Sequence, residues 1–294
     1  VNKVSNFTAI SAENSYCVTI KSYLILTALT LSQIFIYPIK SLGGIALTEA
    51  QVEERGLQYD RRWMLTDLGG QMLSQRDIPQ MALLDVEVGT QSLQVSHRWK
   101  SIVPLDIPLT PPQSSLKPVT VWDDTLEAVP VGPEADEWFS AVLGTPSRLM
   151  YLPNNSVRRV DEKYVPEPLN VSFADGYPLL IIGQASLDGL NARLTETLPM
   201  NRFRPNLVFT GGAPHEEDTW RDFRVGTILF RGVKPCGRCI ITTIDQQTTE
   251  KGAEPLKTLA TYRRNEHKIL FGQNLIALSA GKIRVGDRIE VTGG

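Results

Sequence analysis

Between residues 33 and about 130 the chain repeats one device: five or six residues alternating apolar and polar, then a turn signal. Alternation with period two puts one face of a half-buried β-strand inward and the other outward. Runs at 33–37, 62–66, 83–88, 92–96 and 118–122 fit it, with Gly43-Gly44 and Asp67-Leu68-Gly69-Gly70 as breaks. Many short strands at such spacing predict a sandwich or a barrel. The stretch 104–118 holds five prolines and reads as an extended surface connection.

Beyond this region the pattern is mixed. A helix is predicted over 134–143, with acidic residues in its first turn, Trp138, Phe139 and Val142 on one face, and Gly144 as its stop. The proline-rich, charged stretch 153–168 is the candidate boundary between domains. After it come a helix capped by Ser186 and running to Leu194, strands at 206–209, 227–230 and 240–244, and a helix from Pro255 through Arg263. The tail 282–291 reads as two short strands about a Gly-Asp turn. The fold class is therefore mainly β with some helices (α+β). The 294 residues suffice for two domains, set at 31–152 and 153–294 behind an N-terminal extension, 1–30.

The net charge of −2 offers no general attraction for nucleic acid or acidic lipid, so anion binding must come from local placement of Lys and Arg. Residues 22–31 (SYLILTALTL) resemble the apolar core of a signal peptide, but they are too short to span a bilayer and lack a good cleavage site. An N-terminal extension is the preferred reading, with membrane association unlikely and a cytoplasmic location expected.

The cysteines are the chemically pointed feature. Lys234-Pro235-Cys236-Gly237-Arg238-Cys239 runs into the apolar stretch 240–244, which places Cys239 where a strand begins, directly after a cationic side chain. Nearby positive charge favours the thiolate, the form that attacks electrophiles or ligates metals. A thioredoxin-like pair is expected after a strand, whereas this pair is predicted to precede one. A structural zinc site needs four ligands, and the chain adds only Cys17, His97, His215 and His267. Three cysteines are also too few for a disulfide scaffold. A single working thiolate in a reducing compartment remains.

Cationic and amide side chains cluster in four other pieces: Lys40-Ser41, Arg61 in Tyr59-Asp60-Arg61-Arg62-Trp63, Arg204 and Asn206 in Asn201-Arg202-Phe203-Arg204-Pro205-Asn206, and Asn274 in Phe271-Gly272-Gln273-Asn274. Together they suit a phosphate and a polar heterocycle attached to it. These pieces, with Tyr37-Pro38-Ile39-Lys40-Ser41, Gly56-Leu57, Cys236-Gly237-Arg238-Cys239 and Thr242-Thr243-Asp245, resemble the MOSC proteins. The resemblance is to the branch with an N-terminal MOSC β-barrel domain, which includes the amidoxime-reducing components and the YcbX proteins, and it covers roughly residues 31–291.

The resemblance implies a second β-barrel, the MOSC domain, and a molybdenum-molybdopterin cofactor held between the two domains. It makes Cys239 the protein ligand to molybdenum. It gives pterin and phosphate contacts to Lys40, Ser41, Arg61, Arg204, Asn206, Gly237, Arg238 and Asn274, and puts the acidic Asp175 beside the metal as a proton relay. Cys236 has no required role. Gly176 and Tyr177 depart from the small hydroxylated residues of the amidoxime reducers, which alters the substrate pocket.

The implied activity is reduction of amidoximes, hydroxylamines and N-hydroxylated bases, a detoxification reaction that releases the N-bound oxygen as water. The rival is a carrier of cofactor or sulfur through a Cys239 persulfide. Related cofactor sulfurases generate that sulfur in a separate domain that binds pyridoxal phosphate, for which the chain leaves no room. Three cysteines cannot supply a four-cysteine iron–sulfur cluster once one is given to molybdenum, and no Gly-x-Gly-x-x-Gly follows a predicted strand. The electrons are thus expected from a separate protein: a ferredoxin, a flavodoxin or a cytochrome b5-like carrier.

Overall fold

A computed structural model describes residues 28–111, 114–165 and 168–293. Cys17, and the expected extension up to residue 27, lie outside the described residues. The molecule is mainly β, as its alternation predicts, with three α-helices among the described residues.

The first strand, Thr30–Ile36, begins three residues ahead of its predicted start. A register shift between Leu31 and Gln33 interrupts the period of two, so Leu31, Ile34 and Ile36 all turn into the core. This strand does not stay with the N-terminal half. It pairs antiparallel with Leu207–Thr210 on one side and Ile45–Leu47 on the other. It thereby joins a nine-stranded sheet whose remaining members are Leu179–Gly183, Lys268–Ala277, Ile228–Gly237, Asp222–Val225, Ile289–Val291 and Arg264–Asn265. Leu31, Ile34, Val52 and Leu57 share one hydrophobic cluster with Phe209, Trp220, Phe230 and Leu275. Packing therefore crosses the sequence boundary expected at residue 153.

The N-terminal half has its own core. Trp63, Leu65, Leu84, Val95, Ile107, Phe139 and Leu149 bury together, roofed by the helix Pro133–Leu143. That helix starts on Pro133 and stops at Gly144, whose φ of +67° is the left-handed conformation glycine adopts without a Cβ clash. The proline-rich stretch 104–118 is not only a connection. Leu105–Pro108 forms the edge strand of the sheet with Leu84–Val88 and Ser92–His97, with Leu105 and Ile107 inward. Edge position is where a strand tolerates proline.

Three C-terminal expectations change. Residues 240–243 form a 3-10 turn, Ile240–Thr243, rather than a strand. The Thr242 and Thr243 hydroxyls donate to the carbonyls of Cys239 (2.9 Å) and Ile240 (2.8 Å), local bonds that compete with a sheet ladder. The helix after Pro255 is one turn, Leu256–Leu259. Ser186 lies inside the helix Gln184–Asn191 instead of capping it, and its hydroxyl donates to the buried Glu217 carboxyl at 2.9 Å. The tail strands Gly281–Arg284 and Ile289–Val291 are present but join different sheets, through Glu49–Glu53 and Asp222–Val225 respectively. No helix among the described residues is long and apolar enough to cross a membrane.

Candidate active site

The chemistry-bearing residues arrive on strand ends and the loops beside them. Thr30–Ile36 runs out through Tyr37-Pro38 into Lys40 and Ser41, and the turn after Gly56–Leu57 delivers Arg61. The segment before Leu207–Thr210 carries Arg204 and Asn206, the loop before Leu179–Gly183 carries Asp175, and Ile228–Gly237 leads into Arg238 and Cys239. All of them, with Asn274, line one cleft of about 800 Å3, measured out to its solvent-filled mouth. Of the ten residues singled out in the sequence, Gly237 alone does not line it. It borders a separate shallow depression with Lys234, His267 and Lys268.

Cys239 flanks the start of the Ile240–Thr243 turn. Cys236 lies inside the strand Ile228–Gly237 and Cys239 just past its end, with a 3-10 turn and not a strand after it, so strand order gives no ground against a redox pair. Both thiols are free, and they differ in their neighbours. Arg238 donates to the Cys236 sulfur (3.1 Å) and to the Phe203 carbonyl (2.6 Å), while its Nε is buried without a partner.

Four cations meet in the cleft: Lys40, Arg61, Arg204 and Arg238. Asp60 and Asp175 are the counter-charges. Asp60 is buried, accepts the Tyr37 amide at 2.8 Å and pairs with the Arg61 guanidinium. Arg61 also reaches Asn206 Oδ1 (3.2 Å) and the Arg204 carbonyl (3.4 Å). Arg61 and Arg204 sit 4.5 and 4.1 Å from the Tyr37 ring centroid, close enough for cation–π attraction. The Arg204 guanidinium has no hydrogen-bond acceptor among the described residues.

Burial sets the ionisation of this group. It pushes the Tyr37 phenol up to about 12 despite the two guanidinium ions. It also pushes Arg204 down to about 10, with Tyr37 opposing and Arg61 adding to the drop, so Arg204 stays cationic at neutral pH. Burial lowers Lys40 as well, against the pull of Asp175. For Asp175 burial acts upward, but the Lys40 ammonium at 2.6 Å overcomes it and holds the carboxyl well below the usual carboxylate range. Asp175 is 66% exposed at the cleft mouth, so solvent reaches this ion pair. The electrostatics suit a carboxylate that is ionised at neutral pH, not an acid tuned to give up a proton there.

Backbone strain concentrates in the same place. Eight non-glycine residues among those described have left-handed φ, and Ser41 (70°), Arg61 (50°), Trp122 (57°) and Arg204 (52°) all line the cleft. Such conformations persist where surrounding contacts over-determine them, and they gather at functional sites. Gly44 is explained by close approach and not by flexibility: a Cβ there would stand 2.5 Å from the Tyr37 ring.

Sequence reading passed over Trp122 and Tyr37 as site residues. Trp122 lines the cleft from the hairpin turn after Lys117–Val121, and its indole N–H donates to Asp175 Oδ1 at 3.2 Å. Its signal was an aromatic residue at a turn, Val121-Trp122-Asp123-Asp124, where a polar residue would be ordinary. Tyr37 had a weaker one, a tyrosine directly before Pro38-Ile39-Lys40-Ser41.

The cleft fits a phosphorylated, metal-bearing cofactor on its donor set. It offers an excess of cations, an acceptor-free guanidinium at Arg204 and an unpartnered Nε at Arg238, which suit phosphate and heterocycle acceptors. Among the described residues no three His, Cys, Asp or Glu side chains converge on a point. Cys236 and Cys239 both line the cleft without such companions, and a thiol so placed suits a metal that arrives already ligated by its cofactor.

Comparison with known proteins agrees with this geometry. Residues 28–146 match the MOSC N-terminal beta barrel domain, and residues 168–290 match the MOSC domain. The chain is 31% identical to mitochondrial amidoxime-reducing component 1 of Mus musculus, across 90% of this chain and 82% of the relative. It is 32% identical to mitochondrial amidoxime reducing component 2 of Homo sapiens, across 88% and 82%. Molybdenum cofactor sulfurase of Oryza sativa subsp. japonica is 31% identical across 90% of this chain, but only 34% of that relative is covered.

Proposed function

We propose that this chain, which belongs to the proteins joining a MOSC N-terminal β-barrel domain to a MOSC domain, is a molybdenum-cofactor-dependent reductase of N-hydroxylated compounds. The observation that carries the reading is one cationic cleft that gathers Cys239 with Lys40, Arg61, Arg204 and Arg238, in a chain alike over most of its length to two amidoxime-reducing components. Bound there, the cofactor supplies a two-electron redox centre able to accept oxygen from nitrogen.

The protein's own groups bind, orient and charge-balance. Cys239 provides the thiolate ligand. Arg204, Arg238 and Lys40 neutralise the phosphate, and Asn206 and Asn274 offer amide groups to the heterocycle. An amidoxime carries N–H and O–H donors, and Asp175, held ionised by Lys40, accepts them at the cleft mouth. This orienting role replaces the proton relay, because the depressed carboxyl is a poor donor at neutral pH. The overall change is C=N–OH plus two electrons and two protons to C=N–H plus water. The electrons come from a separate redox protein, and the protons from solvent at the open mouth.

The match to a cofactor sulfurase favours one second reading, in which Cys239 carries a persulfide instead of a metal. Steady-state reduction of benzamidoxime by reduced methyl viologen separates the two. The reductase reading expects turnover that Cys239→Ser abolishes, by at least about 100-fold, and that Cys236→Ser leaves within about threefold. Equal loss in both variants would point to a cysteine pair, and no turnover in the molybdenum-loaded protein would favour the carrier.

A further inference from the structure

We propose that Arg158 is a positioning residue that ties the Trp122 hairpin and the Asp175 loop into one jaw across the cleft mouth, and that this jaw seats substrates larger than hydroxylamine. The proposal deepens the reductase reading and rests on it. Arg158 lies in the proline-rich stretch expected as the domain boundary, outside every motif singled out in the sequence, and is only 5% exposed. Its guanidinium nevertheless addresses both sides of the mouth. Nε donates to Asp124 Oδ2 at 2.8 Å, and Asp124 begins the second strand of the hairpin, Asp124–Pro130, two residues past Trp122. Nη1 donates to the carbonyls of Ser172 (2.8 Å) and Ala174, and Nη2 donates to the Asp175 carbonyl at 3.0 Å.

One planar fork thus fixes both partners. A planar guanidinium offers five donors in a set geometry, which a lysine ammonium cannot reproduce. At the far side of the jaw the Trp122 indole closes the loop by donating to Asp175 Oδ1, with the Arg76 guanidinium 4.1 Å from its ring. Trp122 holds a left-handed backbone, and such strain survives only under strong external restraint. The Asp124–Arg158 pair supplies that restraint from behind. Without Arg158, three loop carbonyls lose a charged donor; Phe173 still packs against the hairpin and Lys40 still reaches the loop, but at the mouth itself the polar tie is left to the half-exposed Trp122–Asp175 contact. Hydroxylamine needs only the Asp175 carboxylate for its N–H and O–H donors, and the Lys40 pair still holds that group. A planar aryl amidoxime also needs its ring to lie against the Trp122 indole, whose place beside Asp175 the jaw sets.

Two measurements on Arg158→Ala, Arg158→Lys and Asp124→Asn test this. The first is amide hydrogen exchange, which needs neither cofactor nor activity. In Arg158→Ala, residues 120–125 and 172–176 should exchange at least about tenfold faster together, with the nine-stranded sheet unchanged, and Asp124→Asn should loosen the hairpin alone. The second is kinetics normalised to bound molybdenum. For benzamidoxime, KM should rise at least about tenfold in Arg158→Ala with kcat altered less than about threefold. Hydroxylamine should keep its kcat/KM within about threefold, and Arg158→Lys should recover only part of the loss. Unchanged exchange in both segments, faster exchange everywhere, or equal losses on the two substrates would overturn the proposal. A wild-type protein that reduces neither substrate would overturn the reductase reading, and the substrate-seating role with it, while the exchange data still decide whether the jaw exists.

Discussion

Single side chains in the cleft divide by whether the scaffold needs them. Lys40 is buried and donates to the Phe173 carbonyl at 2.8 Å as well as to Asp175, so it holds the loop before Leu179–Gly183 in place. Arg204 stacks on Tyr37, and its guanidinium has no acceptor among the described residues, which leaves its hydrogen-bonding capacity for a ligand. The two should therefore respond differently to truncation. Arg204→Ala is expected to lower molybdenum per protomer at least about fivefold while the melting temperature stays within about 2 °C. Lys40→Ala should lower both, since it strands a buried carbonyl and leaves Asp175 without its counter-charge. Metal content and thermal unfolding, measured on the same samples, check this. Full metal occupancy in both variants would mean that the anion site is elsewhere.

At the scale of elements, the helix Gln184–Asn191 and the 3-10 turn Glu216–Thr219 are joined by a buried carboxyl. Glu217 is fully buried and accepts the Gly183 amide (3.2 Å) and the Ser186 hydroxyl (2.9 Å), with no ion-pair partner among the described residues. Burial pushes its carboxyl up to about 7, only partly offset by those hydrogen bonds. The folded protein thus binds this proton more tightly than the unfolded chain. The linked stability is complete below the ordinary glutamate range and is lost as pH rises through about 7, on the order of 3 kcal/mol in all. His215 beside it has the opposite sign. Burial lowers it to about 4, so its contribution grows as pH rises from about 4 toward its ordinary range. Above pH 6.5 the Glu217 slope dominates this pair. Glu217→Gln should therefore gain stability relative to wild type between pH 6 and pH 8, read as the difference in melting temperature. A difference that does not vary with pH would contradict the assignment.

The elements also show what could be read in the sequence. Period-two alternation was legible because one face of each strand is buried, and even the proline-rich stretch kept Leu105 and Ile107 in register. The segment 240–244 looked like a strand because Ile240-Ile241 and the two threonines favour β structure. The threonine hydroxyls turned back onto local carbonyls, a choice that composition does not record. The motifs located nine cleft residues because strand ends repeatedly carry charge or amide groups. Trp122, Tyr37 and Arg158 escaped because they act through long-range contacts, and Arg158 resembles an ordinary charge in a polar loop.

For the whole molecule the decisive fact is that the two halves share a sheet. Thr30–Ile36 and Ile45–Leu47 extend the strand array of the C-terminal half, and Gly281–Arg284 returns to pair with Glu49–Glu53. The cleft is built from both halves, so neither carries the site alone. Heat unfolding should show one cooperative transition, and a fragment of residues 153–293 should lack stable tertiary structure because it loses Leu31, Ile34, Val52 and Leu57 from its core. Calorimetry of the full chain and amide dispersion in NMR spectra of the fragment check both. A fragment that folds and binds the cofactor would refute the shared-core view. The most direct test of the account as a whole is elemental: molybdenum per protomer in wild type and Cys239→Ser, each purified from a host that makes the cofactor. About one molybdenum per wild-type protomer and a large loss in Cys239→Ser are expected. Wild-type protein without molybdenum, or a Cys239→Ser protein that retains it in full, would contradict the account.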